Sequence, residues 1–176
     1  MPVLSIVMLI VDTVAVLLGG VLLLRFWMQA IRVRPPSSVA QFTFQLSDWL
    51  VRPMRRLVPG VGGYDWASLL GAFLIVLLAT SVRWFAGYPF EAILLVALHR
   101  FLSWILYGFM ALLVVEAVFS WVNPNAPLAP FVRAMNEPLL RPVRRVVPLV
   151  GNLDLSLLVA LVLLQIAQIL LDMLFR

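Results

Sequence analysis

Leu50-Val51-Arg52-Pro53-Met54-Arg55-Arg56-Leu57-Val58-Pro59-Gly60-Val61-Gly62-Gly63-Tyr64-Asp65 recurs 89 residues later as Leu139-Leu140-Arg141-Pro142-Val143-Arg144-Arg145-Val146-Val147-Pro148-Leu149-Val150-Gly151-Asn152-Leu153-Asp154. Ten of the sixteen aligned positions are identical without a gap, far beyond chance, so the chain is an internal duplication. Each copy runs Arg-Pro-x-Arg-Arg, Pro, Gly, Asp, and each sits between two long apolar blocks. These blocks span Val3 to about Leu24, Trp66 to about Val82, Phe101 to about Val122, and Leu155 to about Phe175. A hydrocarbon layer about 30 Å thick takes roughly 20 helical residues to cross, so each block can span it. The expected fold is an all-α integral membrane protein with four transmembrane helices.

Composition supports this. Of 176 residues, 64% are apolar and 12% charged, with a mean hydropathy of +1.07, which excludes a water-soluble globule. Four crossings also leave no room for a large catalytic domain outside the membrane. The first block lacks a basic leader, carries Asp12 mid-run and has no small-x-small cleavage site, so it is read as a retained helix rather than a signal peptide. There is no Cys, which excludes disulfides, thiol nucleophiles and thiolate metal sites.

The duplication divides the chain into units 1–87 and 88–176, expected to fold as one bundle. Each unit holds two crossings, so both keep the same orientation and form parallel tandem repeats rather than an inverted pair. After the first span, Arg32-Val33-Arg34-Pro35-Pro36 stops the helix, and Ser37 and Ser38 can cap a new one. Phe42, Leu46, Trp49 and Leu50 then recur at helical spacing among Gln41, Gln45 and Asp48, which predicts an amphipathic helix over 39–51 lying in the membrane interface. Its counterpart covers 128–140. Pro53 and Pro142 are expected to bend the chain and leave two arginines on a short turn. Asp65 and Asp154 are expected to cap the returning spans. The decamer before the third span, residues 91–100, either lengthens that helix or forms a separate interfacial turn.

All 13 basic residues are Arg, against 8 acids, for a net charge of +5. In a membrane protein this points to orientation and lipid phosphates, not nucleic acid. The two long connections carry ten arginines (25, 32, 34, 52, 55, 56, 133, 141, 144, 145) and the opposite side three (83, 100, 176). The positive-inside rule therefore places the connections in the cytoplasm and both termini outside.

The doubled Arg-Pro-x-Arg-Arg-x-x-Pro, followed by Val-Gly-Gly-Tyr-Asp in one half and Val-Gly-Asn-Leu-Asp in the other, resembles the YggT (YlmG) family of small bacterial and plastid membrane proteins. The resemblance covers nearly the whole chain. It implies a multi-span protein of the bacterial inner membrane, or of plastids, connected with osmotic tolerance, cell division or envelope organisation and, in plastids, with cytochrome assembly. It brings no enzymatic activity. Two positions depart from the family pattern. Glu116 stands where the second repeat usually has the Arg matched by Arg25, and Asn152 replaces the second Gly.

The polar residues divide into two groups. Arg52, Arg55, Arg56, Arg141, Arg144 and Arg145 can clamp anionic head groups or a protein partner, since guanidinium binds phosphate bidentately. Alternatively, they orient the protein or pair with Asp48, Asp65, Glu137 and Asp154 to lock the hairpins. Arg55 and Arg56 are adjacent, so on a helix they point about 100° apart and serve different partners. Within the spans, Asp12, Glu116, Gln165, Gln168 and Asp172 are costly to bury unpaired. One reading joins Asp12 to a Gln165/Gln168/Asp172 stripe as an ion path. The other makes them interhelical hydrogen bonds within a bundle. Ala15/Gly19, Ala67/Gly71 and Ser68/Ala72 are small pairs suited to close helix packing. His99 has no second His or Cys beside it, and no cofactor, metal or catalytic constellation is present in the sequence. The expected function is a non-enzymatic scaffold or assembly factor that meets membrane lipids, a membrane-protein partner or further copies of itself. The competing class is a small oligomeric channel.

Overall fold

The structure is a computed structural model and describes residues 2–147 and 155–175. The expected cap Asp154, and Arg176, lie outside the described residues. Among the described residues six helices follow one another: α1 Pro2–Ala30, α2 Ser37–Leu57, α3 Trp66–Ser81, α4 Phe90–Val122, α5 Ala129–Arg144 and α6 Leu155–Leu174. A 3₁₀ turn over Val82–Ala86 prolongs α3 and closes on Gly87. Four segments of the described residues are long and apolar enough to cross a membrane: Val3–Ala30, Trp66–Trp84, Phe90–Val122 and Leu155–Leu174.

Several boundaries differ from the sequence expectation. α1 does not stop near Leu24, because Arg25 is neutralised by carboxylates from elsewhere and the helix continues past it. It ends where Arg32 turns left-handed at φ 57°, with the Val33 amide donating to the Met28 carbonyl at 3.0 Å and the Arg32 amide to Gln29 at 3.1 Å. Pro35 and Pro36 then block renewed helix. Pro36, not Ser37 or Ser38, occupies the N-cap of α2, and no side chain caps it. α4 starts at Phe90, so residues 91–100 are one helix with the third span. At 33 residues it is about 50 Å long and outreaches a hydrocarbon core.

Pro53, Pro138 and Pro142 do not bend the chain out of helix. They lie within α2 and α5 on exposed faces. A proline there leaves the carbonyl four residues earlier without its amide partner, and the helix continues through it. Arg55 and Arg56 therefore occupy the last turn of α2, and Arg141 and Arg144 that of α5, where the helix dipole favours cations.

Cross-links define the two ends of the bundle. Arg100 meets Asp12 at 2.7 Å, and His99 meets Asp172 at 2.8 Å, which gathers the start of α1, the first turns of α4 and the end of α6 at one end. At the other end, the Trp27 indole donates to the Met135 carbonyl at 3.0 Å, placing α5 beside the end of α1. This is the hairpin end.

α1 packs most extensively on α3. Leu22, Val51, Ala67 and Ala72 form one buried core, with Phe101 and Met54 against it, and Leu113, Leu140 and Ala160 form another. All six residues of the small pairs are buried. Gly19 is the tightest of them, since a Cβ there would stand 2.4 Å from the Trp104 ring. Gly19→Ala should destabilise the protein by about 1–3 kcal/mol through displacement of Trp104. Thermal unfolding in detergent micelles, read by tryptophan fluorescence, checks this. An unchanged midpoint would show that the ring rotates freely out of the way.

Candidate functional site

The hairpin end holds a chain of five alternating charges built from α1, α2 and the start of α3. Arg25 is only 5% exposed, although it lies on an apolar helix. Its Nη1 donates to Ser47 Oγ at 2.6 Å and Asp48 Oδ1 at 2.7 Å, and its Nε stands 3.4 Å from Asp65 Oδ2. The guanidinium also lies over the Phe44 ring, 4.9 Å from its centroid. Asp48 binds Arg52 one helical turn on, at 2.8 Å. Asp65, 3% exposed, receives Arg55 through Nη2 at 2.7 Å and Nε at 3.3 Å, and Ser68 Oγ at 2.6 Å.

Local sequence explains how Asp65 arrives there. Gly62 and Gly63 take φ 69° and 82°, and the Tyr64 amide donates back to the Val61 carbonyl at 3.3 Å, giving a tight reversal that glycine alone adopts freely. The Trp66 indole holds the same Val61 carbonyl at 3.1 Å. Asp65 does occupy the N-cap position of α3, but its carboxylate makes no capping bond to the free amides. Two guanidiniums and the Ser68 hydroxyl take its oxygens instead, because bonds to a cation are about twice as strong as neutral ones.

The second half builds a smaller cluster of opposite polarity. Glu116 of α4, 6% exposed, accepts from Asn136 Nδ2 at 2.8 Å and pairs with Arg144 at 3.5 Å. Arg144 also donates to Glu137 at 3.0 Å. Asn136, Glu137 and Arg144 stand at the repeat positions of Ser47, Asp48 and Arg55. What changes is the helix residue facing them, a cation in the first half and an acid in the second.

Charge sets the protonation of the first cluster. The Arg25 hydrogen bond, against an opposing effect of burial, holds Asp48 below the usual carboxylate range, with the charges of Arg25 and Arg52 adding to it. Burial alone would raise Asp65, but hydrogen bonds from Arg55 and Ser68 and the charges of Arg55 and Arg25 outweigh it and leave that carboxyl lowered too. Arg55 is raised, chiefly by its bond to Asp65. Depressed carboxylates stabilise the fold above their unfolded value of 3.8, and that contribution is lost as pH falls through the lower folded values. Acid should therefore loosen the hairpin end below about pH 4, and Asp65→Asn should flatten that dependence. Unfolding midpoints across an acid titration in micelles test this; an unaltered slope in the variant would exclude Asp65 as a titrating group.

The CCB3/YggT family profile matches the chain twice, over residues 4–86 and 95–175. The chain belongs to the CCB3/YggT family. The YggT protein of Escherichia coli K12 is 31% identical over 168 residues, covering 89% of this chain and 84% of the relative. A Vibrio alginolyticus protein of the proC 3′ region is 32% identical over 163 residues, covering 85% and 84%. A Pseudomonas aeruginosa relative is 32% identical over 168 residues, covering 92% and 85%. No solved structure matches the chain.

In this CCB3/YggT chain the six arginines of the repeat motif divide by role. Arg55 and Arg144 hold buried acids, and Arg52 pairs with Asp48. Arg56, Arg141 and Arg145 are exposed and make no ion pair with the described residues. The intramembrane set divides as well. Asp12 is held by Arg100, which also reaches Thr80 at 3.4 Å, whereas Gln168 donates to Ser103 at 3.1 Å and to Asp172 at 2.9 Å. Gln165 is exposed, one turn off the Gln168 face. On α4, Arg100 takes Asp12, His99 takes Asp172 and Ser103 takes Gln168. Arg25, Ser47, Asn136 and Arg100 were not among the candidate site residues. Asn136 is legible from its registration with Ser47 in the repeat.

Proposed function

We propose that this protein is a non-enzymatic, multi-pass scaffold or assembly factor of the bacterial inner membrane, serving envelope organisation, cell division or tolerance of osmotic stress. Units 1–87 and 88–176 lie parallel, with the hairpin end in the cytoplasm and both termini outside. α2 rests in the interface, its Thr43, Ser47 and Val51 side on the bundle and its Phe42 and Trp49 side, 58% and 60% exposed, toward acyl chains. The observation that carries this reading is the division of the arginines. Arg55 and Arg144 hold buried acids, whereas Arg56, Arg141 and Arg145 remain displayed on the same end, where anionic lipid or an acidic partner surface can meet them.

The test uses Arg56→Gln/Arg141→Gln/Arg145→Gln, which spares the internal pairs. The variant should fold normally yet lose sedimentation of purified protein with anionic vesicles in a bilayer-nanodisc tethering assay, and retain neutral-vesicle behaviour. Equal tethering by variant and parent would remove the proposal. Cysteines placed singly at Ser38 and Ala126 should resist an impermeant thiol reagent applied from outside, and labelling would reverse the orientation. Ion flux through proteoliposomes, abolished by Asp12→Asn, would replace the scaffold with a channel.

A further inference from the structure

A cavity of about 500 Å³ opens at the hairpin end between the last turns of α1 and the inner side of α2. Arg25, Arg52 and Arg55 line it, together with Gln29 and a single carboxylate, Asp48. Both oxygens of Asp48 are already engaged, Oδ1 by Arg25 and Oδ2 by Arg52. The guanidiniums are not saturated. Arg25 sends its hydrogen bonds from Nη1 alone and its Nε stands 3.4 Å from Asp65 Oδ2, while its Nη2 makes no hydrogen bond with the described residues. Arg55 engages Asp65 through Nε and Nη2, which leaves Nη1. Arg52, with 78% of its side chain exposed, can turn from Asp48 at little cost.

A buried cation with an unused donor, facing a cavity that two further guanidiniums share, calls for an acceptor-rich anion. We propose that this cavity binds a phosphate ester, with Arg25 and Arg55 fixing the phosphate oxygens and Arg52 closing over them. Guanidinium forks match the spacing of phosphate oxygens, and the cavity exceeds what a bare phosphate fills. Met28, Val33, Pro35 and Phe44 supply an apolar wall for the organic part of the ester. The phosphate belongs either to a lipid head group or to a soluble ester, and the chemistry of the site is common to both.

The second half argues for one site per chain. There Glu116 is the buried helix residue facing the hairpin, and Arg133 stands at the repeat position of Phe44. An acid at the floor repels the anion that Arg25 attracts. The assignment rests on the scaffold reading only in taking this end to face the cytoplasm and its lipids. The exposed arginines on which that reading depends do not line the cavity.

The experiment is isothermal titration of the full chain in neutral maltoside micelles with inorganic phosphate, glycerol 3-phosphate, dihexanoyl phosphatidic acid and dihexanoyl phosphatidylcholine. Saturation at one equivalent per chain by the esters is expected, weakened about tenfold or more by Arg52→Gln and unaffected by Arg133→Gln, an exposed arginine of α5 that does not line the cavity. Saturation by phosphatidic acid and not glycerol 3-phosphate assigns the lipid source; saturation by both assigns the phosphate ester itself. Absence of saturable binding, two equivalents per chain, an equal loss with Arg133→Gln, or equal binding of phosphatidylcholine overturns the site. The Arg56→Gln/Arg141→Gln/Arg145→Gln variant separates the two proposals, because it should lose vesicle tethering and keep the titration unchanged.

Discussion

Arg25→Ala should lower the free energy of unfolding by about 3–5 kcal/mol, the range seen when one partner of a buried ion pair is removed. The wild-type guanidinium is 5% exposed and stands between two carboxylates. Its loss leaves Asp65, itself 3% exposed, with Arg55 and Ser68 only, and strips Ser47 Oγ and Asp48 of their inner donor. Asp48 is less confined, at 24% side-chain exposure, and can recover some hydration, so most of the cost falls on Asp65. A double-mutant cycle with Asp65→Asn isolates the coupling, since the second substitution should cost much less once Arg25 is absent. Unfolding by denaturant in mixed micelles supplies the numbers. A loss under about 1 kcal/mol would mean that the pair behaves like an exposed one and that water reaches the cluster.

Glu116→Arg, which gives the second half the residue type of the first, should destabilise by a comparable 3–5 kcal/mol or about that. The new guanidinium would face Arg144 and the Nδ2 donor of Asn136, with the accepting carboxylate gone. Glu116→Gln keeps an acceptor and should cost less. Arg144→Glu added to Glu116→Arg should restore part of the loss by reversing the pair. Failure of that rescue, with both single variants equally damaging, would show that shape rather than charge governs this contact. The two halves are therefore related by sequence and by helix order but not by charge.

The polarity difference has a consequence for function. A buried cation with spare donors can receive an anion, whereas a buried acid already holding Asn136 and Arg144 serves as a clamp. The first half is suited to recognition and the second to rigidity, with Trp27 joining them through the Met135 carbonyl.

Hydrophobic block length located all four long helices, because crossing a hydrocarbon layer imposes a requirement that sequence states openly. The end of the first span differs from that expectation. The boundary at Leu24 followed the first charge, Arg25, and a charge ends a span only when nothing neutralises it. The expected bends at Pro53 and Pro142 do not form because each ring sits on an exposed face, where it displaces no packed neighbour, and the helix runs on at the loss of one backbone hydrogen bond. Asp65 was located correctly as the residue before α3, while its task was not, since capping competes with any cation that packing brings near.

By itself the sequence determined the all-helical spans, the duplication and the turn chemistry of Gly62-Gly63, all of which depend on local or periodic properties of the chain. It also determined that neighbouring Arg55 and Arg56 would point to different places. Which carboxylate each arginine meets was decided only by tertiary structure. Arg25 lies 40 residues from Asp65, and Asp12 lies 88 from Arg100, so their meeting depends on how the helices are rotated and set against one another. Small residues such as Gly19 fix that approach, and a shift of one residue along a helix turns a side chain by about 100°. The same long reach and flexible stem that let an arginine serve any nearby anion leave its partner unwritten in the sequence.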